Sequence, residues 1–108
     1  MDEQEFNAAA TAMLERIEAA LEAAGADIDV ELVTDGVLQL EFANGSKIII
    51  NRHGAAREIW VAAKSGGYHF KPANAASWVA TKSGEDLLSA LTRCIAEQGG
   101  GTVVLGGG

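Results

Sequence analysis

The hydrophobic period of this chain changes twice, and that constrains its fold more than any other feature. Over residues 4–24, Phe6, Ala10, Met13, Ile17, Leu21 and Ala24 recur at steps of three and four. That spacing builds one apolar stripe on a helix. Alanine and glutamate supply helix propensity, and Gly25 supplies a stop. From residue 27 the period is two: Ile28, Val30 and Leu32 alternate with Asp27, Asp29 and Glu31. Beyond the turn Thr34-Asp35-Gly36, Leu38, Leu40 and Phe42 alternate with Val37, Gln39 and Glu41. Asn44-Gly45 is a two-residue hairpin signal, and Ile48 and Ile50 continue the alternation. Further strands are expected near 57–63, over Tyr68 to Phe70 and over Trp78 to Ala80, with Lys71 to Ala76 as a loop around Pro72. Helical spacing returns over 83–97, with Ser83 as the expected N-cap and Leu87, Leu88, Leu91, Cys94 and Ile95 as the buried stripe.

The order is therefore helix, about six strands in hairpin succession, helix. Short connections favour a mainly antiparallel sheet. Two amphipathic helices can cover only one of its faces, so the expected class is α+β, a two-layer sandwich with both terminal helices on one side. At 108 residues, 48% of them hydrophobic, the chain is expected to form one domain over 1–108 without internal repeats. Residues 99–108 read as a glycine-rich tail in which the apolar segment Thr102 to Leu105 packs back on the domain.

Strand parity identifies the face left open. Ile59, Val61 and Ala63 share one side of their strand, and Glu58, Trp60, Ala62 and Lys64 share the other. The charged side cannot be the core, so Trp60 is expected to point outward, as are Ile49 and Asn51 beside Lys47. An exposed aromatic side chain on a rigid sheet is a typical anchor for a partner. Trp78, in its short strand, reads as core.

Charge is unevenly distributed. Residues 1–31 hold nine acids (Asp2, Glu3, Glu5, Glu15, Glu18, Glu22, Asp27, Asp29, Glu31) against Arg16 alone, a balance of −8. The remainder holds six acids and seven bases, so the chain's whole excess of −7 lies in its first third. Such a field repels nucleic acid and attracts basic protein surfaces or cations. On a helix Glu15, Glu18 and Glu22 fall within about 60° of one another, opposite the apolar stripe. Like charges at that spacing destabilise a helix by roughly 0.2–0.5 kcal/mol per pair, so the row is a cost to folding. Carboxylates without Cys or His suit hard cations, held weakly and exchanged freely.

Other chemistry is sparse. The single cysteine, Cys94, lies on the apolar stripe of the last helix and reads as a buried structural thiol. His53 and His69 have no Cys or second His at ligand spacing, so no dedicated transition-metal site is expected. Neither Ser65-Gly66-Gly67 nor Gly99-Gly100-Gly101 has the frame of a phosphate loop. No catalytic triad pattern is present, and the paired carboxylates lie on a convex helix, so the chain is not expected to be an enzyme. No apolar run exceeds five residues, whereas a membrane-spanning helix needs ~20. The acidic opening Asp2-Glu3-Gln4-Glu5 has the wrong sign for a signal or transit peptide, which makes the cytoplasm the expected location.

Several ordered blocks carry a resemblance. Asn44-Gly45-Ser46-Lys47-Ile48-Ile49-Ile50-Asn51-Arg52, Ile59-Trp60-Val61-Ala62, Ser65-Gly66-Gly67-Tyr68-His69-Phe70, Trp78, and Ser83-Gly84 are similar to the bacterial branch of the frataxin family. The resemblance runs from about residue 5 to residue 97 and has the same order of elements. It implies an iron-binding accessory protein of iron–sulfur cluster assembly, monomeric without iron. The nine acids would form a ridge that binds Fe²⁺ or Fe³⁺ weakly and docks on cysteine desulfurase. Asn51 and Trp60 would meet the scaffold protein or its complex with the desulfurase. Two departures stand out: Ala23-Ala24-Gly25-Ala26 carries no acids where the family often has several, and His53-Gly54-Ala55-Ala56 lacks a common proline. The first implies fewer or weaker metal sites. The alternatives are a ferroxidase or iron-storage protein oxidising Fe²⁺ at the ridge, and a plain protein-interaction domain.

Overall fold

The periodic segments form α1 (Glu3–Ala24), β1 (Ile28–Thr34), β2 (Val37–Phe42), β3 (Lys47–His53), β4 (Glu58–Ala63), β5 (Gly66–Asn74), β6 (Ser77–Ala80) and α2 (Leu87–Glu97) in a computed structural model. It describes residues 2–25, 27–74, 77–101, 103 and 105. The strands pair antiparallel in sequence order, β1-β2-β3-β4-β5-β6, as one six-stranded sheet. Both helices bury their stripes on the same side. Phe6, Ala10, Met13, Leu14, Ile17 and Leu21 of α1 join Leu87, Ala90, Leu91, Cys94 and Ile95 of α2 in one core. The sheet contributes Leu38, Leu40, Phe42, Ile48, Ile50, Ile59, Val61, Phe70 and Trp78. Each large apolar side chain so buried contributes roughly 1.5–3 kcal/mol relative to exposure. The expected two-layer α+β sandwich, open on its other face, is the fold observed.

Local chemistry sets the boundaries. Asp2 caps α1 by accepting from the Glu5 N–H at 2.8 Å, and the Glu5 carboxylate accepts in return from the Asp2 N–H at 3.4 Å. This reciprocal cap satisfies two donors that the helix itself cannot. Gly25, at φ 64°, ends the helix in the left-handed conformation that glycine adopts without strain. Arg52 fastens α1 to the sheet: its guanidinium donates to Thr11 Oγ1 at 2.8 Å and to Asp35 Oδ2 at 2.7 Å.

Three boundaries differ from expectation, and a fourth agrees with it. The Asn44-Gly45 hairpin closes through three residues, not two, because the Phe42 N–H bonds to the Ser46 carbonyl and Gly45, at φ 86°, donates to the Phe42 carbonyl. Strand β5 runs on past Phe70 to Asn74 where a loop is expected. Pro72 is tolerated there because β4 has already ended, so β5 is paired at that point only with β6, Pro72 opposite Trp78. Ala75 and Ala76 lie outside the described residues. Ser83 does not cap α2. The chain first makes a tight return in which Ala80 N–H bonds to the Glu85 carbonyl and Asp86 bridges to Val79, so Asp86 becomes the cap and accepts from Ser89 N–H at 3.1 Å. Finally, within the glycine-rich tail, Val103 and Leu105 are buried in the core, as the packing-back reading requires. Gly100 permits that return, since a Cβ there would lie 2.6 Å from Ile95 and 2.7 Å from Phe42.

Gln98 holds this end of the molecule together. Buried at the end of α2, it accepts from Lys64 N–H at 2.7 Å and donates to Ser46 Oγ at 3.1 Å and the Lys47 carbonyl at 3.3 Å, while its own carbonyl accepts from Asn44 Nδ2 at 2.8 Å. One amide side chain thus joins α2 to the β2–β3 loop and to the β4–β5 turn. Gln98→Leu strands the Lys64 N–H and is expected to cost about 1–3 kcal/mol. A melting curve should fall by about 4–8 °C per kcal/mol. The hydrogen bonds to its cap hold the Asp2 carboxyl below the usual carboxylate range, the Glu5 N–H foremost. A lowered carboxyl stabilises the fold above its unfolded pKa, and that contribution is lost as pH falls through the folded value. Acidification below the usual carboxylate range should therefore lower the protection factor of the Glu5 amide, its exchange rate being taken relative to the intrinsic rate at each pH. Asp2→Asn, an equally good cap that does not titrate, should remove this pH dependence.

Candidate functional site: the open sheet face and its acidic rim

Register sets the open face. Asn51 pairs with Trp60, and Trp60 with His69, so these three stand in one row across β3, β4 and β5. His53, two residues beyond Asn51, shares their side. The rings stack: His53 and Trp60 have centroids 3.8 Å apart with an 11° interplanar angle, and Trp60 and His69 lie 4.3 Å apart at 6°. Adjacent strands are about 4.7–4.9 Å apart, so rings rising from neighbouring strands meet face to face. Glu58 fixes the middle ring by accepting from Trp60 Nε1 at 2.7 Å, and it lies 3.6 Å from His69 Nδ1. His53 Nδ1 accepts from the Ala56 N–H at 3.2 Å, which orients the first ring.

Trp60 thus points outward as parity requires, but the indole is not free. It is half-buried, both its π-faces are covered by imidazoles, and it presents an edge. Fixing three rings in advance removes rotamer entropy that a partner would otherwise have to freeze on binding. Beside the stack, the small residues Ala62 and Gly67 leave a hollow of about 220 Å³ bounded by Ile49, Asn51, Trp60 and His69. The histidines' part in the stack is missed by sequence reasoning, which treats each singly. The available signal is register: a hairpin that opposes residue 51 to 60, and a second that opposes 60 to 69.

The acids are distributed along the rim. Glu3 and Glu5 lie in the first turn of α1 beside the capping Asp2. Glu15, Glu18 and Glu22 follow along the helix, and Asp27 stands just before β1. Asp29 and Glu31 project from β1, the outermost strand, onto the open face. Two of the nine are therefore engaged in the helix cap. Among the described residues no three His, Cys, Asp or Glu side chains converge closely enough to enclose a metal ion. The donor set fits a hard cation in kind, but as a solvated row rather than a formed cage.

A second cleft, of about 340 Å³, lies between β5 and the return before α2. Its Arg93 is already held, 3.0 Å from Glu85 and 3.4 Å from Glu97, with the Tyr68 ring 5.5 Å away. The hydrogen bonds that Arg93 donates to Glu85, then its hydrogen bond with Tyr68, raise its pKa further. Cys94 is buried, and burial pushes its thiol up, against smaller opposing effects of Ser65 and Arg93. That is the opposite of nucleophile activation.

A sheet meander with two helices on one face, an aromatic row on the other and acids along one rim defines a two-layer α+β protein built on the frataxin plan. Residues 1–101 match the family described as Frataxin-like domain. The iron–sulfur cluster assembly protein CyaY of Dechloromonas aromatica is 51% identical over 105 residues, covering 97% of this chain and 99% of its own. The protein of the same name from Vibrio cholerae is 53% identical over 91 residues, covering 84% and 86%. A frataxin structure from Psychromonas ingrahamii superposes with a TM-score of 0.91 at 33% identity, over 98% of this chain and 99% of that one. The chain belongs to the frataxin-like family. No helix among the described residues is long and apolar enough to cross a membrane.

The two tryptophans should separate under mutation. Trp78 is buried edge-on to Phe6, with centroids 5.8 Å apart at 73°. Trp78→Ala is expected to cost about 3–5 kcal/mol. Trp60→Ala loses only its stacking and one partly exposed hydrogen bond, and should cost about 0.5–1.5 kcal/mol. Chemical denaturation of both variants decides the matter. Equal losses would place Trp60 in the core.

Proposed function

We propose that this chain is an iron-binding accessory protein of iron–sulfur cluster assembly, not itself an enzyme, acting in the cytoplasm. The relatives named above are iron–sulfur cluster assembly proteins, which supports a role in that process for this chain. The observation that carries the finer reading is the separation of two surfaces: an acidic rim formed by α1 and β1, and a rigid aromatic row on the open sheet. In this reading, Asp2, Glu3, Glu5, Glu15, Glu18, Glu22, Asp27, Asp29 and Glu31 attract Fe²⁺ or Fe³⁺ as cargo and steer the chain onto a basic surface of cysteine desulfurase. Asn51 and Trp60, joined now by His53 and His69, contact the scaffold protein.

Carboxylates spread along a convex rim hold a hydrated ion loosely, which suits delivery or sensing better than oxidation in a closed centre. The same spread supports a second reading, a pure interaction domain whose acids serve only docking. Charge steering weakens as salt shortens the Debye length, about 10 Å at 0.1 M and 3 Å at 1 M. Pull-down with purified cysteine desulfurase should therefore weaken steeply with added salt. Replacing Glu15, Glu18 and Glu22 with Lys should abolish it while the circular-dichroism melt stays essentially unchanged. Binding that ignores both changes would refute docking by the rim. Cluster-assembly rates with purified desulfurase and scaffold, with and without iron, distinguish the iron-linked reading from the interaction domain.

A further inference from the structure

The two edges of the sheet are treated differently. Strand β6, at one edge, has only four residues, and the return before α2 covers its outer side through the Val79–Asp86 bridge. Strand β1, at the other edge, has seven residues and pairs only with β2. Alternate backbone N–H and C=O groups along such a strand point outward, ready to pair. The pairing with β2 is regular from Ile28 to Leu32 and shifts register between Leu32 and Thr34. Two large apolar side chains are exposed at that end: Leu32 at 56%, on the helix side with its partner Leu38, and Val33 at 53%, within the irregularity. A groove of about 120 Å³ between β1 and α1 is lined by Leu14, Leu32 and Leu38, by the acids Glu15 and Glu18, and by the Arg52–Asp35 ion pair, whose charges offset each other and leave Glu15 and Glu18 as its uncompensated charges.

We propose that the β1 edge is a strand-addition site for an extended, basic segment of a protein partner. This rests on the docking reading above and specifies its geometry. The backbone of the incoming segment would continue the sheet, which supplies affinity through main-chain hydrogen bonds. Its side chains toward the helices would lay an aliphatic stem on Leu32 and a cationic head beside Glu15 and Glu18. Those on the other side would meet Asp29 and Glu31. Charge selects the occupant. A second copy of this chain pairing β1 to β1 would bring Asp29 and Glu31 near their own kind, which is destabilising across strands. The acids alone would attract any cation; the unpaired backbone and the exposed Leu32 side chain give the site its shape.

The test uses an acetylated, amidated peptide of alternating Lys and Val. Three controls accompany it: the same peptide with alternate backbone amides N-methylated, a Glu–Val peptide, and the chain carrying Glu15→Lys and Glu18→Lys. Binding of the Lys–Val peptide is expected to slow hydrogen exchange of outward β1 amides by about tenfold or more at saturation. N-methylation and the Glu–Val sequence should abolish that protection, and the double substitution should weaken binding by about tenfold at low salt. Equal binding of the N-methylated peptide, protection confined to β6, or peptide-driven dimerisation of the chain would overturn the proposal. Exchange measured in the complex with cysteine desulfurase separates the two readings. Desulfurase binding that needs the rim acids but leaves β1 amides exchanging freely refutes strand addition and preserves docking. Failure of the desulfurase to bind refutes docking, and the peptide result then decides the edge by itself.

Discussion

Everything functional in this molecule depends on one-sided burial. The stripe from Phe6 to Leu21 on α1 and the stripe from Leu87 to Ile95 on α2 are covered by the same sheet face. Two helices are enough for one layer and no more. The opposite face is thereby left to polar and aromatic residues with a few aliphatic ones, Ile49 and Ala62 among them. Its pattern is as strictly determined as the core, because strand side chains alternate. Burying Leu38, Leu40, Ile48, Ile50, Ile59 and Val61 fixes the register that lines up Asn51, Trp60 and His69. A slip by one residue would invert both faces together.

The acidic rim is held in place by an equally specific contact. Arg52 is the one cation among its core-facing neighbours on β3, and it is largely covered, at 18% exposure. By bonding both Thr11 of α1 and Asp35 of the β1–β2 turn, it sets the helix against the first hairpin. That placement lays Glu15 and Glu18 beside Leu32. The helix tolerates its row of like charges because its stability comes from the buried stripe and the Asp2–Glu5 cap, not from its exposed surface.

Much of this was legible in the sequence, and the failures have physical causes. Period alone gave the layer order and put Trp60 outside and Trp78 inside, since a strand bearing Glu58 and Lys64 on one side can bury only the other. What period cannot give is contact between residues distant in the chain. The His53–Trp60–His69 stack needs two hairpin registers at once, and Gln98 needs the positions of two separate turns. The cap of α2 was misplaced at Ser83 because Asp86 is an equally good cap, and the choice is made by a backbone bridge to Val79. The Asn44-Gly45 turn was correct in place and one residue short in length, because a glycine with positive φ serves either form. Pro72 falls in a segment expected to be a loop, Lys71 to Ala76, although a β5 that runs beyond its pairing with β4 leaves room for it.

The two indoles lie on opposite sides of the same sheet, one sealed beside Phe6 and one pressed between imidazoles. They therefore report separate events. Emission from the sealed ring follows loss of the interior, whereas emission from the ring between imidazoles follows what arrives at the surface. The protein carries an internal pair of optical gauges, and a change in one without the other tells unfolding from encounter.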